Sequence, residues 1–164
     1  MKKRFKLSVL FGLAGLCLLL NSCKKDAEGT VEALLARGSW QLASVMRYNY
    51  VGGNNTSIDT LNATCGLNQT FTFNKDNTCS YTDFSCISQT AKGSWQLAED
   101  KLTLLSSLSA QDTLAGARVT AKPFTYARII NLGQYSMVLE TGDLSSYYLS
   151  TDKRHIKRYG FIRN

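Results

Sequence analysis

Gly38-Ser39-Trp40-Gln41-Leu42-Ala43 returns intact as Gly93-Ser94-Trp95-Gln96-Leu97-Ala98, and the rest of the chain is read outward from these two copies. In each, tryptophan and leucine stand two residues apart, the spacing that puts both on one face of an extended strand. Gly38 and Gly93 free the backbone for a tight start, and the chain's only two tryptophans, Trp40 and Trp95, are both used this way.

Hairpins surround the copies. The first strand runs from Ser39 to about Val51, with Trp40, Leu42, Ser44 and Met46 on one face and Tyr48 and Tyr50 continuing it, and Gly52-Gly53-Asn54-Asn55 turns the chain. Thr56 to Asn68 reads as a polar excursion near an open rim. Gln69–Phe73 and Thr78–Phe84 make the clearest hairpin, around Asn74-Lys75-Asp76-Asn77. Lys92–Leu97 pairs with Lys101–Leu105, and Ser106–Lys122 is read as a loop with a short strand. Phe124–Leu132, Tyr135–Glu140 and Ser146–Thr151 complete the set. With no βαβ pattern, this predicts an all-β fold: an up-and-down antiparallel barrel of about eight strands, closure removing exposed edges, with an open sandwich as the alternative. Thr30 is placed to cap a short helical turn through Val31, Leu34 and Leu35.

The Gly-x-Trp opening, the strand count and the hairpin order resemble the lipocalin-like proteins over about Leu34 to Thr151. The resemblance implies that Trp40 plugs one barrel end under a basic side chain from beyond the last strand. Arg154 is the nearest such arginine, Arg158 the alternative, and Trp95 is assigned an equivalent barrel-closing place. It also implies a small apolar or amphipathic ligand, for which Tyr48, Tyr81, Tyr126, Tyr135, Met137 and Tyr148 are the candidate lining residues. A filled barrel, serving as a structural or adhesion module through its loops, is the competing expectation.

At the start of the chain, Lys2, Lys3, Arg4 and Lys6 precede an uncharged run from Leu7 to Leu20 that is too short to span a bilayer. The following Leu20-Asn21-Ser22-Cys23 resembles a bacterial lipobox, which implies a signal peptide over residues 1–22, a lipidated Cys23 and tether over 23–30, and a barrel domain over 31–164 with a basic C-terminal tail. The expected address is the outer membrane of a Gram-negative cell envelope. Lys24-Lys25-Asp26-Ala27-Glu28 resembles the export signal of surface lipoproteins, so the periplasmic and surface faces both stay open.

The formal charge of +7 overstates the folded part, because four of the nineteen basic residues and none of the twelve acids lie in the leader. The small remaining excess argues against a nucleic-acid surface. Lys153, Arg154, Lys157, Arg158 and Arg163 crowd the C-terminus and read as a solvated tail, with an anion-binding patch as the alternative. Cys65, Cys79 and Cys86 allow three pairings. The hairpin between them would bring its outer positions together, which favours a Cys65–Cys86 disulfide with Cys79 as a buried thiol.

The sole histidine, His155, has no sequence-near nucleophile, and no catalytic, metal or phosphate-loop motif occurs. A non-enzymatic protein without metal or cofactor is expected. Its implied contacts are a membrane reached through the anchor, a small hydrophobic ligand and an undefined partner protein. Asp59-Thr60-Leu61 and Asp112-Thr113-Leu114 resemble acceptors for periplasmic O-glycosylation, in stretches read as loops.

Overall fold

The computed structural model describes residues 30–163. The expected signal peptide, Cys23 and most of the expected tether lie outside them. Thr30 caps helix α1 (Val31–Leu35), its hydroxyl accepting from the Ala33 amide at 3.2 Å. The strands are β1 (Ser39–Val51), β2 (Asn54–Thr60), β3 (Thr70–Phe73), β4 (Thr78–Thr82), β5 (Thr90–Leu97), β6 (Thr103–Ser106), β7 (Ala110–Leu114), β8 (Ala117–Ala121), β9 (Ala127–Leu132), β10 (Ser136–Gly142) and β11 (Lys153–Ile162). Eight of them pair antiparallel in the order β1-β3-β4-β5-β6-β9-β10-β11, and β11 returns to β1 along the register Gln41↔Ile162 to Val51↔Lys153. The barrel is therefore closed, without the two free edges of a sandwich.

Strand β2 pairs with the upper half of β1, above the three residues that β3 covers. The stretch read as an excursion is thus ordered through Thr60. Ser106–Lys122 holds not one short strand but the hairpin β7–β8, a separate two-stranded sheet. Both Asp-Thr-Leu triplets consequently place their threonine in a strand, Thr60 in β2 and Thr113 in β7.

The largest correction concerns the last strand. Ser146–Thr151 forms none, and the segment read as a basic tail is β11, a barrel wall that contacts both β1 and β10. Its period-2 pattern is present but sits on long side chains: Lys157, Tyr159 and Phe161 face inward, while Arg154, Ile156 and Arg158 face outward. Arginine and lysine cover such a wall with their aliphatic stems, so a basic sequence makes a good strand.

A β-bulge between Leu42 and Ser44 shifts the register of β1 against β11. One extra residue exchanges the two faces. Trp40 and Leu42 point inward, but beyond the bulge the inner row passes to Val45 and Arg47. The face expected to continue through Ser44 and Met46 to Tyr48 and Tyr50 turns outward.

Gly93 lies inside β5 rather than at its start, where a Cβ would come within 2.6 Å of the Leu108 amide nitrogen. The missing side chain lets the Ser107–Leu108 backbone cross the strand.

Aromatic rings fill the interior. Phe71 lies 4.1 Å from Phe73, 5.2 Å from Tyr81 and 4.9 Å from Phe124, ring centre to ring centre, and Phe124 reaches Tyr159 at 5.0 Å. Phe124 belongs to no strand. The turn before β9 drops it into the barrel while its carbonyl accepts from the Ser106 amide at 3.0 Å. Burial pushes the Tyr81 and Tyr159 phenols well above their ordinary value, with the Asp112 charge adding to the effect at Tyr159.

The sign of the resulting pH dependence follows from proton binding. Above about pH 10 the unfolded chain releases phenolic protons that the fold retains, so stability is full below that pH and falls as pH rises beyond it. Chemical denaturation across pH 8 to 11.5 should show this alkaline loss, and a Tyr81→Phe/Tyr159→Phe variant should flatten it. An unchanged alkaline limb in the variant would contradict the assignment.

Candidate functional site

The two ends of the barrel differ. At one end, α1 lies across the opening and Trp40, fully buried, donates its indole N–H to the Leu35 carbonyl at 3.0 Å. The register of β1 against β11 brings the residue after Ile162 level with Trp40. The Arg163 guanidinium accordingly stacks 4.0 Å from the Trp40 ring centre. It also donates to the carbonyls of Leu34 at 3.1 Å and Gln134 at 2.5 Å, tying helix and β9–β10 turn to the plug. Trp95 lies at the same end, with its indole N–H on the Asn74 carbonyl at 3.0 Å and Phe73 edge-on to its ring at 5.4 Å. Lys101 and Glu32 pair at 2.7 Å between the β5–β6 turn and α1.

Arg154 does not take part in this closure. It stands on the outer row of β11 near the opposite end, 3.6 Å from the centre of the Tyr148 ring. Arg158 is on the same outer row, over Tyr48 at 4.5 Å. Parity excludes both, because only odd-numbered β11 positions share the face of Trp40.

The other end is open. A cleft of about 330 Å³ enters between the 61–69 segment and β11, with Val45, Phe84 and Tyr159 at its floor, Leu61 at its rim and Arg47 and Lys157 in its wall. A second cleft of about 370 Å³ lies beyond Phe84, Asp112, Lys157 and Tyr159, which line both. The mouth is one opening divided by these four residues.

Local structure explains why the floor is where it is. Asp83, Ser85 and Cys86 all have left-handed backbone angles, with φ of 59°, 54° and 57°, in the turn that replaces the expected end of the β4 strand. Non-glycine residues take this conformation at a cost of about 1–2 kcal/mol each. Cys65 and Cys86 are joined by a disulfide, Cα to Cα 5.6 Å, while Ser85 bonds to Asp112 of β7 and the Gln89 side chain bridges to the Gln111 backbone at 2.7 and 2.8 Å. These links hold the turn so that Phe84 points into the barrel, edge-on to Tyr81 at 5.2 Å. Cys79 is buried and outside the disulfide, its Sγ within hydrogen-bond reach of the Ser94 carbonyl at 3.5 Å and the Ser106 hydroxyl at 3.4 Å, and burial raises its thiol pKa.

The upper wall is polar. Asp59 accepts from the Asn49 amide at 3.0 Å and from Arg47 at 2.8 Å, and these bonds hold its carboxyl below the usual range. The Asn49 side-chain oxygen meets His155 Nδ1 at 2.7 Å, so the lone histidine belongs to this network. Lys157 has no ion pair among the described residues.

None of the six expected ligand-lining residues borders the first cleft. Tyr81 and Met137 are sealed in the core, and Tyr48 lies outside under Arg158. Tyr148 is on the β10–β11 loop, while Tyr126 and Tyr135 are exposed. Val45, Lys157 and Tyr159 reach the mouth through the bulge and β11, neither of which the strand pattern of the sequence predicts. The Tyr159-Gly-Phe161 alternation was the available signal.

A family model described as a domain of unknown function, DUF5004, matches residues 21–145. The chain belongs to this family. The match covers α1 through β10 of the DUF5004 barrel and stops before β11, the strand that carries Lys157 and leads to Arg163. The closed eight-stranded barrel is compatible with a lipocalin-like fold. No curated protein matches the chain.

Proposed function

We propose that this DUF5004 protein is an outer-membrane lipoprotein of the Gram-negative envelope, lipocalin-like, that takes a small amphipathic ligand at the open mouth of its barrel. The cleft of about 330 Å³ carries the reading: it is at the lower bound of the volumes that hold small molecules, with an apolar floor and a polar rim that suit a two-sided molecule. The unpaired Lys157 ammonium favours an anionic head group. Because the barrel below is filled with side chains, the ligand sits in the mouth and does not descend toward Trp40.

The anchor supports this polarity. Acylated Cys23 would precede α1 by a tether of about seven residues, reaching at most ~25 Å, and α1 covers the closed end. The mouth therefore faces away from the membrane that holds the protein. Loss of palmitate labelling in Cys23→Ala checks the anchor.

Anilinonaphthalene sulfonate, itself amphipathic and anionic, is a suitable probe of the mouth. The full chain in mild detergent should bind it saturably. Leu61→Asp and Lys157→Glu are each expected to weaken binding about tenfold or more without changing the circular dichroism. Equal binding in both variants would refute the mouth as the site. The packed interior favours one second reading, a filled barrel acting through its surface loops. Native mass spectrometry that finds no retained molecule, together with probe binding indifferent to both variants, would select it.

A further inference from the structure

The outer wall of the barrel carries a second constellation, independent of the mouth. Bulge and strand parity place Tyr48 and Tyr50 of β1, Arg154 and Arg158 of β11, Glu140 of β10 and Arg128 of β9 on one exterior ladder, with cross-strand partners Tyr50↔Arg154, Glu140↔Arg158 and Glu140↔Arg128. The β10–β11 loop folds over this ladder and leaves a cleft of about 410 Å³ lined by Tyr50, Arg128, Ser145, Ser146, Tyr148 and Arg154 among others.

Its charges do not cancel. Glu140 is buried and taken by Arg158, which donates from Nε at 3.0 Å and Nη2 at 2.5 Å, while Arg128 stands at 3.8 Å from the other carboxylate oxygen. The cleft and its surround thus hold one carboxylate against three guanidinium groups, two of which it contacts. Arg154 has no carboxylate partner among the described residues. It is held over the Tyr148 ring at 3.6 Å, with Tyr50 at 5.3 Å, and Nη2 donates to the Gly52 carbonyl at 2.8 Å. Its Nε is the one buried side-chain polar atom without a hydrogen-bond partner among the described residues. A guanidinium fixed between aromatic rings with its Nε–H unused suits an oxyanion acceptor. A buried donor left unsatisfied also calls for an explanation.

We propose that this outer cleft binds an oxyanion, a carboxylate or phosphate group seated between Arg154 and Arg128, with the uncharged remainder of the ligand along Tyr50, Tyr148 and Ser146. The Arg154 Nε–H, on the edge it shares with the Nη2 that bonds Gly52, and the Arg128 guanidinium, whose Nη2 bonds the Leu144 carbonyl at 2.8 Å, supply the donors. The partner class is a small organic acid, an acidic saccharide or the head group of an anionic lipid, which share this chemistry.

The test uses the full chain in mild detergent and follows arginine Nε–H resonances by NMR during titration with inorganic phosphate and with glucuronate. The Arg154 signal should shift saturably. Arg128→Gln should weaken the apparent affinity about tenfold, Arg154→Gln should abolish saturable binding seen at Arg128, and Lys92→Gln, an exposed cation on β5 away from the cleft, should leave the titration unchanged. Ser146→Glu, at the cleft rim, should also abolish binding and serves if Arg154→Gln does not fold. Lipid arms distinguish the source: saturable Arg154 shifts with detergent-dispersed phosphatidylglycerol but not phosphatidylcholine, competed by phosphate, identify a lipid head group, while shifts with glucuronate and none with phosphatidylglycerol identify a soluble acid. Shifts that grow linearly with anion concentration, affinity unchanged by Ser146→Glu and Arg128→Gln, or saturable anion binding that persists in Arg154→Gln would each overturn the proposal.

Discussion

Trp40→Ala is expected to destabilise the domain by about 3–5 kcal/mol, the range for emptying a fully buried large aromatic site. The indole fills the closed end, donates to Leu35 and supports the Arg163 guanidinium, so its removal leaves a cavity and frees three attachments of α1 and the β9–β10 turn. Arg163→Ala removes the cation–π contact and the hydrogen bonds to two carbonyls and should cost about 1–3 kcal/mol. Because the two side chains touch, the double variant should be less destabilised than the sum by about 0.5–2 kcal/mol. Arg154→Ala combined with Trp40→Ala should be additive, since Arg154 acts at the other end. Urea denaturation of the three single variants, the two double variants and the wild type measures all of this. Additivity of Trp40 with Arg163 would mean that the guanidinium does not close the barrel.

Removing the Cys65–Cys86 bridge as a Cys65→Ser/Cys86→Ser pair should cost about 3 kcal/mol from the loop it closes, which spans 21 residues. The effect should also be local. The turn at Asp83–Cys86 holds three left-handed non-glycine residues, and without the bridge the Ser85–Asp112 bond and the short-range backbone bonds must hold it alone. Amide exchange should therefore rise first at Phe84–Gln89 and Gln111, and probe binding at the mouth should weaken while the closed end stays protected. Unreduced peptide mapping would show the pair directly. An unchanged denaturation midpoint would show that the 61–69 segment is already ordered by Asn62 and Gln69.

Much of this was legible from alternation alone. Ser39–Val51, the Thr70–Thr82 hairpin and the pairing across Glu99-Asp100 are regular apolar alternations separated by turn residues, which is the pattern that local sterics and burial enforce. The disulfide pairing followed from the same hairpin, since residues flanking its two strands must end near each other. The strand β11 was hidden by composition: five basic residues in eleven positions read as solvated, although long stems pack a wall as well as leucine does. The helical turn at α1 needed only a capping threonine and three apolar residues.

The bulge at Ala43 has no signature in the residues around it, and it alone decides whether Tyr48 and Tyr50 line a cavity or face outward beside Arg154 and Arg158. Side-chain parity is local, so the composition of each strand announces that it has an inner and an outer face. Which row is inner at a given height depends on how many residues the neighbouring strand presents there. That count is a property of the pairing between β1 and β11, more than one hundred residues apart, and only the closed barrel determines it. The same long-range register carries Arg163 to Trp40, leaves Arg154 unpaired on the outer wall, and drops Phe124 from a loop into the core.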